Sequence, residues 1–268
     1  MVVLEKREIL AQNAKIVGSG ETTIVLAHGY GADQSIWEYV LPELTKRCRV
    51  VVFDWNFGAA VDRHGSRETS KQSIFEAFSE DLVSLMDSMG LKNVVFLGHS
   101  MSGMVGCIAS IKRPDLFRRL ILLGASPRYL NSEDYEGGFE RPHVEALFTS
   151  IESNFQTWAR AFVGLVVGQD HPSEAAKFCK SLLRMGSDVA LAMARVIFLS
   201  DLREVLHSVA VPCTVVNGTR DVVVPTSVSS YIQTRIKSEA ALELLDFNGH
   251  FPQLTAHKAL VNAIERLL

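Results

Sequence analysis

The run Val94-Val95-Phe96-Leu97-Gly98-His99-Ser100-Met101-Ser102 decides how the rest of the chain is read. Its four leading apolar residues make a buried strand, and the small residues from Ser102 to Ile111 make a helix. Ser100 therefore falls on a sharp strand-to-helix turn, a nucleophile elbow. Such a turn strains the serine backbone, lifts its hydroxyl above the sheet edge and aims the next N–H, that of Met101, at the place where an oxyanion would form. Gly98 avoids a side-chain clash in the turn. The last motif position, usually glycine, is Ser102, and the bare pattern also suits a serine that caps the following helix.

The downstream sequence favours the elbow. An acid and a histidine follow in the chain order Ser, Asp, His that belongs to α/β-hydrolases. Cys213-Thr214-Val215-Val216-Asn217-Gly218 reads as a buried strand leading to Asp221, with Pro225 suited to the first turn of the next helix. Leu242-Glu243-Leu244-Leu245 is a further strand, and His250 lies in the loop after it. Both residues then sit at the carboxyl edge of a parallel sheet, where sites assemble. Upstream, Thr23 to Ala27 ends in His28-Gly29-Tyr30-Gly31, a tight turn that offers the Tyr30 N–H as a second oxyanion donor beside Met101. The candidate triad is Ser100, Asp221 and His250; Asp54, which also follows a strand, is the alternative acid.

Segments alternate between strand-like and helical patterns, so the expected fold is an α/β-hydrolase: a mainly parallel sheet with helices on both faces. The opening differs. Ile9 to Val17 and Thr23 to Ala27 flank Gly18-Ser19-Gly20, which predicts an antiparallel hairpin. Between the strands ending at Gly124 and starting after Pro212 the patterns are helical, over Val144 to Ile151, Asn154 to Leu165, Ser173 to Met185 and Asp188 to Phe198. This predicts a core of 1–125 and 210–268 with a four-helix cap inserted at 126–209.

A net charge of −3, from 27 basic and 30 acidic residues, gives no electrostatic reason to expect nucleic acid or an anionic membrane surface as partner. Cys48, Cys107, Cys179 and Cys213 are far apart and form no metal or redox pair, so neither a metal site nor a cofactor is expected. Met1 to Gln12 shows no signal-peptide pattern and no run spans a membrane, which predicts a soluble intracellular protein.

Several stretches outside the triad are more specific. Gly98 to Met104, Ala125-Ser126-Pro127-Arg128-Tyr129-Leu130, Asp134 to Glu140, Ser153-Asn154-Phe155 with Trp158, Ile197 to Arg203, and Gly249-His250-Phe251-Pro252-Gln253-Leu254 carry the signal. Together they resemble the plant karrikin and strigolactone receptors, a family of α/β-hydrolases, and their bacterial stress-regulator relative. The stretch Asn154 to Gly168 is more similar to the karrikin side, while Met101, Tyr30 and Phe251 depart from the usual valine, phenylalanine and leucine. The resemblance implies a small neutral butenolide or lactone ligand, slow hydrolysis, and recruitment of an F-box protein and a repressor. It also implies an apolar pocket walled by Tyr30, Phe139, Trp158, Phe162 and Phe198. A metabolic carboxylesterase or lactonase without signalling is the competing expectation, and C–C or cofactor-free peroxidase chemistry a third.

Overall fold

A computed structural model describes residues 13–64 and 71–268, and their side chains except at 63, 64 and 71–73. The reading of Met1 to Gln12 and the first residues of the Ile9–Val17 strand lie outside the described residues.

Seven strands form one sheet: β1 (Lys15–Val17), β2 (Thr22–Ala27), β3 (Cys48–Val52), β4 (Val94–His99), β5 (Phe117–Leu123), β6 (Cys213–Arg220) and β7 (Ala240–Asn248). Their spatial order is β1-β3-β2-β4-β5-β6-β7, and every pairing is parallel except that of β1 with β3. Parallel strands covered on both faces need apolar side chains at every position rather than alternate ones. β4 meets that demand, being buried from end to end.

Two sets of helices cover the sheet. The elbow helix, Met101–Lys112, packs on β4 and β5 with the Lys71–Ser88 helix beside it, and Thr226–Arg235 covers β6 and β7. The C-terminal helix, His257–Arg266, packs on β7 and on the short Leu41–Leu44 turn that meets β3. A helix at Phe57–His64 had no counterpart in the sequence pattern.

The expected hairpin does not form. β1 and β2 are separated by β3, to which β1 pairs through Lys15–Val52, Ile16–Val51 and Val17–Val50. The glycines between them serve close approach instead of a tight turn. A Cβ on Gly20 would lie 1.8 Å from the Arg47 carbonyl oxygen, and one on Gly18 would lie 2.4 Å from that of Cys48. The chain thus crosses the start of β3 where side chains do not fit.

Between β5 and β6 the chain forms helices Arg141–Val167, Pro172–Arg184 and Ser187–Leu199. The first breaks at Asn154, whose backbone is non-helical (φ −158°, ψ 85°) and whose Oδ1 accepts the Thr157 N–H at 3.0 Å. Asn154 caps a new helix within the run, which yields four helical segments. The ends of this insertion are tied together: the Leu202 N–H donates to the Pro127 carbonyl at 2.8 Å, and Asp201 pairs with both Arg128 (2.5 Å) and Arg203 (2.8 Å). The loop between them is closed by Asn131 Oδ1, which accepts the N–H groups of Gly137 (2.8 Å) and Gly138 (2.9 Å). These contacts give a physical reason for the Ala125–Leu130, Asp134–Glu140 and Ile197–Arg203 sequences: they seal the base of the helical insertion. Among the described residues, no helix is long and apolar enough to cross a membrane.

Candidate active site

Ser100 lies between the last residue of β4 and the first of the elbow helix, with φ 57° and ψ −124°. That backbone region is costly for a residue with a side chain, by about 1–3 kcal/mol, and persists only where the surroundings fix it. Here the Ser100 N–H donates to the Leu123 carbonyl (2.8 Å), and its own carbonyl accepts the Gly103 N–H (3.0 Å). Gly98 is required because a Cβ there would meet the Ser102 carbonyl oxygen at 2.4 Å.

The departure at Ser102 has a structural use. Its hydroxyl donates to the His28 carbonyl at 2.5 Å and accepts the Trp55 indole N–H at 2.9 Å, which joins the elbow helix to the ends of β2 and β3. The close approach that the motif's last glycine usually serves falls one residue later, where a Cβ on Gly103 would lie 2.5 Å from that of Ala125.

Asp221 and His250 meet at the same sheet edge. His250 Nδ1 lies 2.8 Å from Asp221 Oδ2, and the two side chains are 5% and 1% exposed. The other carboxylate oxygen accepts the backbone N–H groups of Val223 (2.8 Å) and Val224 (3.1 Å). A buried carboxylate so satisfied has one orientation and holds the proton of His250 on Nδ1. His250 Nε2 is consequently a free acceptor, buried and without a protein partner. Asp54 is committed elsewhere, to the Gln34 N–H at 2.7 Å and to the side chains of Gln34 and Asn13.

The oxyanion loop lies against the elbow. A Cβ on Gly29 would be 3.0 Å from both His99 Nδ1 and Ser100 Cβ, so only glycine lets the strands' ends come this close. Met101 opens its helix, where backbone N–H groups lack intrahelical acceptors. Tyr30 is clamped by its hydroxyl, which donates to the Ala190 carbonyl of the Ser187–Leu199 helix at 2.8 Å.

Around Ser100 and His250 the walls are Tyr30, Tyr129, Phe162, Phe178, Phe198 and Phe251, with Ile197 and Val223. The cavity among them is small, about 30 Å³. Of the aromatic residues expected there, Tyr30, Phe162 and Phe198 reach the cavity. Phe139 and Trp158 stand behind it: Phe139 packs edge-on to Phe198 at 5.2 Å, and Trp158 stacks on Phe162 at 4.9 Å. A larger, open hollow of about 870 Å³ near Asn13, Gln34 and Asp54 has no histidine among its described lining residues.

Tyr129 is the chief residue that sequence reasoning did not place. Its hydroxyl lies 3.3 Å from Ser100 Oγ, and burial raises its pKa to about 12, so it stays a neutral hydrogen-bond partner of the serine. The only available signal was its place in the Ala125–Leu130 stretch. His28 Nδ1 meets the Gly29 carbonyl at 3.0 Å, and His99 Nε2 reaches the His250 carbonyl at 2.8 Å.

Residues 24–263 match the model of the alpha/beta hydrolase family. The strigolactone esterase of Arabidopsis thaliana is 40% identical over 258 residues, covering 96% of each chain. The chain belongs to the α/β-hydrolase family, in the group that holds this esterase. A karrikin insensitive 2 receptor of Petunia hybrida is 39% identical over 257 residues, with 96% of this hydrolase and 95% of the receptor covered. Among solved structures, a hydrolase from Oleispira antarctica superposes with a TM-score of 0.89 at 29% identity, over 98% of this chain and 96% of its own. The similarity to the strigolactone esterase and the karrikin receptor runs through the helical insertion, the part in which unrelated hydrolases differ most.

Proposed function

We propose that this α/β-hydrolase is a receptor for small neutral butenolide or related lactone signals, which it cleaves slowly with Ser100, His250 and Asp221. The observation that carries the chemistry is the buried Asp221–His250 pair, whose free Nε2 opens into the same apolar cavity as Ser100. In the reaction Ser100 Oγ attacks the carbonyl carbon while His250 Nε2 takes its proton. The N–H groups of Tyr30 and Met101 receive the oxyanion. Collapse breaks the bond to the ester or lactone oxygen, which takes the proton from His250, and water then releases the acyl group from Ser100 by the reverse sequence.

The receptor part of the proposal draws on the relatives, named a strigolactone esterase and a karrikin receptor. In this reading residues 126–209 are a cap over a core of 1–125 and 210–268, and Phe139 and Trp158 shape the pocket from behind the lining residues. The cavity is lined both by Ser100 and His250 of the core and by Phe162, Phe178 and Phe198 of the cap, so a bound lactone touches both parts. A ligand then favours one cap position, and an F-box protein and a repressor would read that position in cytoplasm and nucleus.

The walls set the substrate class. Apart from the reacting groups, the tyrosine hydroxyls and the neutral His99 ring they offer only apolar surface, and an unpaired charge buried there costs several kcal/mol. The expected kcat/KM for a neutral butenolide therefore exceeds that for a carboxylate-bearing ester of equal size by about 10²-fold or more. It also exceeds that for long-chain esters. A steady-state series over the three substrates checks this, and a preference for long acyl groups would indicate a lipase-like cleft.

A further inference from the structure

The base and the nucleophile of this site are distant in the chain, yet one side chain joins their backbones. His99 Nε2 lies 2.8 Å from the carbonyl oxygen of His250, and both groups are buried. We infer that His99 is a positioning residue for catalysis, which fixes the distance between Ser100 and His250 by tying the histidine loop to the residue next to the nucleophile. The inference rests on the triad reading above.

The hydrogen bond has only one sense. A carbonyl accepts, so the His99 proton is on Nε2, and Nδ1 keeps a lone pair; that nitrogen is buried without a hydrogen-bond partner. Burial, with His250 close by, holds the His99 pKa well below its ordinary value. The ring stays neutral and keeps this one tautomer while His250 gains and loses its proton 4.9 Å away.

The rest of the loop explains why the bond matters. The other side of the His250 backbone is held by the insertion: its N–H donates to the Val166 carbonyl at 2.7 Å. Gly249, at φ 83°, permits that approach, since a Cβ there would lie 2.8 Å from the same oxygen. Asp221 orients the imidazole but sits on a separate loop after β6. Among the described residues, His99 supplies the hydrogen bond that connects His250 to the strand leading into Ser100, and His99 and Ser100 are consecutive, with Ser100 locked at its unusual φ and ψ. Without this bond the loop is still held to β6, where the Gly249 N–H donates to the Arg220 carbonyl at 3.2 Å, and to the insertion, but it loses its hydrogen bond to the nucleophile's own strand, and the base can drift from the nucleophile.

Purified wild type, His99→Phe and His99→Gln are compared on p-nitrophenyl acetate. Phenylalanine keeps the ring packing against Phe251, at 4.8 Å, but has no donor. Glutamine puts an N–H at the same reach as Nε2. His99→Phe is expected to lose about 10²-fold in kcat, the scale of a misplaced reacting group, with KM nearly unchanged. His99→Gln is expected to stay within about fivefold of wild type. If His99→Phe does not fold, His99→Asn replaces it, because its amide ends at the position of Nδ1 and does not reach the carbonyl. The inference is overturned if the donor-less variant keeps wild-type kcat, if the loss appears in KM alone, or if glutamine is as damaging while melting at the wild-type temperature. Ser100→Ala is run beside them. Activity surviving in Ser100→Ala refutes the triad reading itself, whereas an inactive Ser100→Ala with a fully active His99→Phe refutes only the role of His99.

Discussion

Ser100→Ala is expected to lose ester hydrolysis by about 10⁶-fold while the protein still folds, because the substitution removes the nucleophile and leaves the rest of the site in place. What remains is the contribution of binding and of the oxyanion donors, about 10³ to 10⁴-fold over water. Stability should change little. The Ser100 hydroxyl makes one long contact, to Tyr129 at 3.3 Å, and alanine keeps the same Cβ in the same strained backbone. Thermal melting together with aryl-ester hydrolysis checks both statements, and full activity in the variant would remove Ser100 from the mechanism.

Asp221→Asn is expected to cost about 10⁴-fold in kcat, for a reason visible in the carboxylate's contacts. The N–H groups of Val223 and Val224 both point at Oδ1, so asparagine must put its carbonyl there and its amide NH₂ toward His250. That NH₂ donates to Nδ1, which forces the imidazole proton onto Nε2, the atom that has to accept the serine proton. The shape of the site survives and its tautomer is reversed. Asp54→Asn, by contrast, loosens only the contacts to Gln34 and Asn13 and should leave kcat near wild type. The opposite ranking would exchange the roles of the two acids.

The parts of the fold that could be read from the sequence are those in which burial writes directly onto the residues. β2, β4 and β5 each hold a buried run of four apolar residues, Ile24 to Ala27, Val94 to Leu97 and Leu120 to Leu123. β7, at the sheet edge and half exposed, showed only its middle, Leu242 to Leu245. β1 was paired with the wrong neighbour because Gly18 and Gly20 signal a turn equally well whether they reverse the chain or let it pass another strand. The carbonyls of Arg47 and Cys48 that make them necessary are distant in sequence.

At the site, chain order and strand-end position brought Ser100, Asp221 and His250 to one edge, since both follow from the local sequence. The pocket wall does not. Phe155, Trp158 and Phe162 follow the break at Asn154 and stand at i, i+3 and i+7 on one helix face, so periodicity cannot say which of them reaches the serine; Phe162 does, and Trp158 lies behind it. Phe178 is fully buried on the inner face of an amphipathic helix and reads as ordinary core. Tyr129 reaches Ser100 from the loop after β5, a contact that no local pattern encodes.

The separation of a receptor from a metabolic esterase depends on what a ligand does to the cap. A ligand that binds two cap positions equally well shifts neither, however tightly it binds, so a signal requires a difference in affinity that a partner can read. The most direct measurement is capture of an F-box protein or a repressor by the purified hydrolase with and without a butenolide, with turnover recorded in the same tube. The receptor reading predicts capture only when the butenolide is present, together with turnover slower than about 1 per second. Fast multiple turnover, about 10 to 10³ per second, with no ligand-dependent capture across several butenolides would contradict it.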